Sequence, residues 1–155
     1  MLKKIDKILL KFEEPFIVLG ICVMGITMAV QVFCRFFGTA LVWSEELSIH
    51  VFAWTVFIGM SYGVRKKLHI RLELLDNILP KKILDILECL TAVIVIALLI
   101  ALFKDSIIYA HDQMGVRSPS MGYPMGFVAL VFPIACVLTV IRQVMDIIRI
   151  IRKEA

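Results

Sequence analysis

Charge is absent from four long blocks of this chain. Residues 15–34, 47–64, 89–103 and 118–141 contain no Asp, Glu, Lys or Arg. Blocks of that kind leave no surface for water, which excludes a soluble globular domain. Reactive side chains are equally sparse. The four cysteines, Cys22, Cys34, Cys89 and Cys136, lie in or beside the apolar blocks, with no C-x-x-C and no Cys/His pairing at metal spacing, so they read as small hydrophobes. The three histidines never fall four residues apart. His50 and His111 belong to one end of the spans and His69 to the other, so the three cannot share a metal ion. A bis-histidine haem has His50 with His111 as its only conceivable pair, and an optical spectrum decides that question. A glycine-rich phosphate loop and a nucleophile elbow are both missing. No enzyme, cofactor or metal centre is expected.

What the chain has is hydrophobicity. Apolar residues make up 61% of its 155 positions and the mean hydropathy is +0.93, whereas globular chains sit near half apolar. The reading is an all-α integral membrane protein, a single membrane domain over 1–155 with four transmembrane helices at 15–37, 44–64, 84–109 and 120–142. The third block has only fifteen uncharged residues, and crossing the hydrocarbon takes about 20. Leu84, Ile86 and Leu87 before it and Ile107, Ile108 and Tyr109 after it continue the helical pattern and complete the span. In segment 1–14, Leu2, Ile5, Ile8, Leu9 and Phe12 oppose Lys3, Lys4, Lys7, Lys11 and Glu14, the pattern of an amphipathic helix lying along the interface. Pro15 suits the first turn of the span that follows. The first apolar run is long and lacks a short basic leader, so it is expected to be retained rather than cleaved.

Of the seventeen Lys and Arg, fourteen lie before the first span, between the second and third, or after the fourth, and three lie in the other connections. The positive-inside rule then puts both termini, the 65–80 interfacial connection and the 143–155 tail in the cytoplasm. Lys3, Lys4, Lys7, Lys11, Arg65, Lys66, Lys67, Lys81 and Lys82 are the expected anchors to anionic lipid headgroups. Lipid accounts for the net charge of +4 without nucleic acid.

The second span carries the most informative residues. Trp43 precedes it, Ser44 suits a helix N-cap, and Glu45 and Glu46 fall in the first turn, where carboxylates meet the positive end of the helix dipole. Glu46, His50 and Trp54 recur every four residues and share one face. Ionisable groups inside a span are site candidates by default, and a hydrogen bond from His50 to Glu46 or to a neighbouring subunit is expected before any ligand role. Arg35, closing the first span, either snorkels to headgroups or pairs with Glu45 or Glu46 across the 38–42 turn. Gly59 and Gly63 form a small-x-x-x-small face that needs a close neighbour. Pro133 should kink the last span unless a neighbour satisfies the freed carbonyl. The middles of the spans hold no charged residue, and no helix is broken in two matching halves. This favours a subunit lying against a larger membrane protein over the alternative, a self-contained homodimeric four-helix small transporter.

W-S-E-E-L at 43–47, W-T-V-F-I-G-M-S-Y-G-V-R at 54–65, H-I-R-L-E-L-L at 69–75 and S-P-S-M-G-Y-P-M at 118–125 together resemble the small membrane subunit of tripartite ATP-independent periplasmic (TRAP) transporters, the DctQ-like family. The resemblance implies a multi-pass protein of the bacterial inner membrane that transports nothing by itself. It implies two protein partners: a large membrane subunit working as a sodium-driven elevator, and a periplasmic binding protein that captures an acidic metabolite such as sialic acid, a C4-dicarboxylate or a 2-oxo acid. The small subunit is then a scaffold, and Arg35, Trp43, Glu45, Glu46, His50, Trp54, Gly59, Gly63 and His69 are candidate contacts between helices or subunits. Two positions depart from the pattern: His50, where an arginine is expected, and Arg71, where an acidic or small polar residue is expected.

Overall fold

The computed structural model describes residues 2–65 and 80–151. His69, Arg71, Lys66 and Lys67 lie outside the described residues, as do the side chains of Lys3, Lys4, Lys81 and Lys82. The helices are α1 (Leu2–Phe36), α2 (Val42–Arg65), α3 (Lys81–Asp112), a short α4 (Gly126–Ala129) and α5 (Val131–Ile151), with a 3-10 turn at Gln113–Gly115. Four stretches are long and apolar enough to cross a membrane: Leu9–Phe36, Val42–Arg65, Ile83–Gly115 and Gly126–Ile148. The fold is the expected all-α membrane architecture with four spans.

The amphipathic segment and the first span form one unbroken helix, with Pro15 inside α1. At its far end Gly38 takes φ +76, and Gly38 N and Thr39 N donate to Arg35 O (3.1 Å) and Cys34 O (3.1 Å). That crossed pair is a Schellman C-cap, which frees the chain to turn back within a few residues. Ser44, expected at the N-cap of α2, lies inside a helix that begins at Val42. Its hydroxyl instead donates to Leu41 O at 2.7 Å. The break expected around Pro133 falls one turn earlier, at Leu130 between α4 and α5. Proline offers no N–H to Ala129 O and crowds it, so the helix ahead of Pro133 ends there.

The helices pack in a row, α1 on α2, α2 on α5, and α5 on α3. The α1–α2 seam is read from one stripe of α1 residues spaced by seven: Asp6, Glu13, Gly20 and Thr27. Thr27 Oγ1 bonds Ser48 Oγ at 2.8 Å, and Gly20 faces Thr55 so closely that a Cβ would strike its hydroxyl. Glu13 Oε1 accepts from Ser61 Oγ at 2.8 Å, and Asp6 Oδ1 accepts from Arg65 Nε at 3.0 Å. Small and polar residues let the backbones approach, which is how helices associate where water gives no hydrophobic drive. The α3–α4 contact repeats the device at Gly126, where an added Cβ would lie 2.7 Å from Ala110 O. Phe57 and Phe132 join α2 to α5 edge to face, with centroids 5.2 Å apart. Large apolar side chains such as Phe33, Phe52, Ile86, Leu98 and Phe127 point outward, the arrangement a lipid solvent permits.

Candidate functional site

Two polar stations sit at opposite ends of the row. One lies at the end that carries both termini, the terminal end, and the other at the end of the 37–41 and 113–125 connections, the loop end.

The terminal station is ionic. Arg142 of α5 is only 2% exposed. Its Nη1 donates to Asp6 Oδ1 at 2.5 Å and its Nη2 to Glu13 Oε2, so one guanidinium spans two turns of α1. Arg65 Nε reaches both oxygens of Asp6, at 3.0 and 3.1 Å, and Ser61 completes Glu13. Tyr62 OH donates to Glu14 Oε1 at 3.1 Å on the exposed side. Two carboxylates thus face two guanidiniums, and the cluster carries no net charge. A buried ion pair adds little net stability because desolvation offsets the attraction. Removing one partner is costly, however, so the cluster selects the single arrangement of α1, α2 and α5 that pairs all four groups.

The loop station holds a single carboxylate and no guanidinium or ammonium group. Ser120 N donates to Glu46 Oε2 at 2.9 Å. Glu46 as a whole is half-exposed, but its Oε1 is covered and has no hydrogen-bond partner among the described residues; the Ser118 hydroxyl lies beside the carboxylate without completing a bond to that atom. His50, 8% exposed, meets Tyr123 OH through Nδ1, with the rings edge to face. Burial first, and the Glu46 charge second, raise the Tyr123 phenol above its ordinary value, so its hydroxyl keeps its proton. Trp54, one turn beyond His50, tilts against Phe16 with centroids 6.2 Å apart. Below this station a lipid-side cleft of about 420 Å³ opens between α1, α2 and α4–α5, lined by residues including Phe16, Gly20, His50, Trp54, Tyr123 and Ile134.

The remaining candidates stand apart. Arg35 is exposed and makes no ion pair with Glu45 or Glu46. The seam stripe of α1 continues to Cys34, so Arg35 is turned about 100° away from α2. Glu45 and Trp43 are also exposed. Side chains built at Gly59 or Gly63 meet open space, so among the described residues no helix packs on that face. Among the described residues no group of His, Cys, Asp and Glu is arranged to hold a metal ion.

A family model described as tripartite ATP-independent periplasmic transporters, DctQ component, matches residues 24–153. The chain belongs to this DctQ family. It is therefore a component of a transporter and not an enzyme, and its four apolar helices make it a multi-pass inner-membrane protein. Similar proteins include the C4-dicarboxylate TRAP transporter small permease protein DctQ of Rhodobacter capsulatus, 33% identical over 68% of this chain and 47% of the relative. The isethionate TRAP transporter permease protein DctMQ of Oleidesulfovibrio alaskensis is 23% identical over 88% of this chain and 23% of its own length. The ectoine TRAP transporter small permease protein TeaB of Halomonas elongata is 24% identical over 96% and 79%. The chain thus spans about half of the Rhodobacter relative and about a quarter of the Oleidesulfovibrio one. Within this DctQ-family chain, Asp6, Glu13 and Arg142 were not apparent as a site from their positions, which each have a local explanation at a polar face or the end of a span. The signal available was the seven-residue spacing of Asp6, Glu13, Gly20 and Thr27.

Proposed function

We propose that this chain is the non-transporting scaffold of a TRAP transporter, bracing a large elevator-type permease subunit that takes up an acidic metabolite with sodium from a periplasmic binding protein. The fate of the buried charge carries this reading. Among the described residues the buried carboxylates and guanidinium of Asp6, Glu13 and Arg142 are bound to one another and to Arg65, and the buried His50 is bonded to Tyr123, so none of the four paired charges lines a route for an ion or an acidic solute. The row of helices meanwhile leaves a broad apolar flank, including the open Gly59 and Gly63 face, for a membrane partner and lipid. The relatives are named for C4-dicarboxylate, isethionate and ectoine, which supports leaving the choice of solute to the other subunits. Fourteen of seventeen basic residues lie in segments that the positive-inside rule assigns to the cytoplasm, which makes the terminal end cytoplasmic and the loop end periplasmic.

The test is affinity purification in mild detergent followed by reconstitution. A large multi-span permease is expected to co-purify, and liposomes holding this chain alone should take up no solute under a sodium gradient. Adding the permease and the binding protein should establish uptake. Uptake by the chain alone, or a partner-free dimer of defined size, overturns the reading in favour of the homodimeric transporter.

A further inference from the structure

The loop of residues 116–125 is folded on itself and tied to α2 at two points one helical turn apart. Inside it, Ser118 N donates to Tyr123 O at 2.9 Å, Met125 N to Val116 O at 2.9 Å, and Gly122 N to Ser118 O at 3.1 Å. The two ties are Ser120 N to Glu46 Oε2 and Tyr123 OH to His50 Nδ1. Beside them sits the covered, unpartnered Glu46 Oε1. A free carboxylate oxygen therefore stands one turn from an imidazole that can gain a proton.

We propose that His50 and Glu46 form a proton-operated latch on the 116–125 loop: the neutral imidazole holds the loop to α2, and the imidazolium turns to Glu46 and lets the loop go. With its own proton on Nε2, the neutral ring offers Nδ1 as acceptor to Tyr123. A second proton makes Nδ1 a donor: the phenol hydrogen loses its acceptor, and the ring N–H, which the phenol oxygen could accept, bonds more strongly to the Glu46 carboxylate as a charge-assisted donor. The resulting cation lines a cleft it shares with Phe16, Val51, Trp54, Phe127 and Leu130, surroundings in which an uncompensated charge is costly. The cleft residues from α1, α4 and α5 carry no ionisable group, so the charged and titratable groups facing His50 are Glu46 on α2 and Tyr123 on the loop. Glu46 precedes His50 by four residues, the order in which an acid and a cation on a helix attract best. Drawing the carboxylate toward the ring weakens its hold on Ser120 N–H, so the two ties fail together. The latch rests on geometry alone and stands whichever side of the membrane the loop faces.

The test is hydrogen–deuterium exchange of loop amides on the full chain in nanodiscs, expressed as protection relative to intrinsic exchange at each pH. Between about pH 8 and pH 5, protection of Ser120 and its neighbours should fall about tenfold, the scale of one or two lost hydrogen bonds, while protection within α2 stays constant. His50→Gln and Glu46→Gln should each remove this pH dependence. Equal wild-type protection at the two pH values overturns the proposal without recourse to any variant. Survival of the acid-induced loss in either variant overturns it as well.

Discussion

At the terminal end the bundle is closed by four charged side chains from three helices, each ion-paired although Arg142 Nε has no hydrogen-bond partner among the described residues, with Arg142 and Glu13 almost completely covered. At the loop end it is closed by one carboxylate, one imidazole and one phenol, and a carboxylate oxygen is left without a partner. The first arrangement is expensive to disturb because each lost partner strands a buried charge. The second exchanges partners cheaply because its bonds are single and its groups near water. A scaffold with a rigid end and an adjustable end follows from this difference in chemistry, and the difference can be tested.

Replacing Arg142 by Met should have the largest effect. It takes the guanidinium from buried Glu13 and one of two guanidiniums from Asp6 and should cost about 3–5 kcal/mol, read as a large fall in thermal midpoint of the purified chain in detergent. Adding Asp6→Asn and Glu13→Gln to Arg142→Met should recover part of the loss, and no recovery would mean that the cluster is not acting through charge. Gly126→Val comes next. Its Cβ would lie 2.7 Å from Ala110 O and 2.6 Å from Met114 Sδ, so α3 must move away from α4, at about 1–3 kcal/mol. Tyr123→Phe, at the loop end, should cost only about 1 kcal/mol and raise amide exchange in 116–125 without moving the global midpoint much. A Tyr123→Phe penalty as large as that of Arg142→Met would abolish the distinction between the ends. Gly59→Leu and Gly63→Leu should alter the isolated chain by no more than about 0.5 kcal/mol, because among the described residues nothing lies within 4 Å of an added Cβ at either position. The same changes should reduce co-purification of the permease. Normal recovery of the partner would assign that face to lipid.

The spans were legible because a helix in hydrocarbon must be apolar for its whole length, and uncharged runs are visible one residue after another. The stations were not, because they join residues distant in sequence. Tyr123 and His50 are 73 positions apart, and Arg142 and Asp6 are 136 apart. Arg142 carried an adequate explanation where it stood, as the first charge after an apolar run. Glu46 and His50 stood out as an odd pair on one helix face, but their partners lay in a turn whose glycines and prolines announce only that the chain bends. Arg35 seemed the natural partner for the acidic pair from proximity in sequence. Helix rotation decides otherwise, and rotation depends on which stripe of α1 meets α2.

The pairing of Asp6 with Arg142 also sets an order of events. The ribosome delivers Asp6 and Glu13 at the outset and Arg142 136 residues after Asp6, when three spans already exist. Until α5 is made, these two carboxylates lack the guanidinium that bridges them, and burying them without it is costly. The start of α1 is therefore expected to stay in the aqueous interface until α5 arrives. Completion of the bundle is thereby coupled to the arrival of its final helix, and a chain truncated before Arg142 keeps Asp6 and Glu13 without the guanidinium that bridges them.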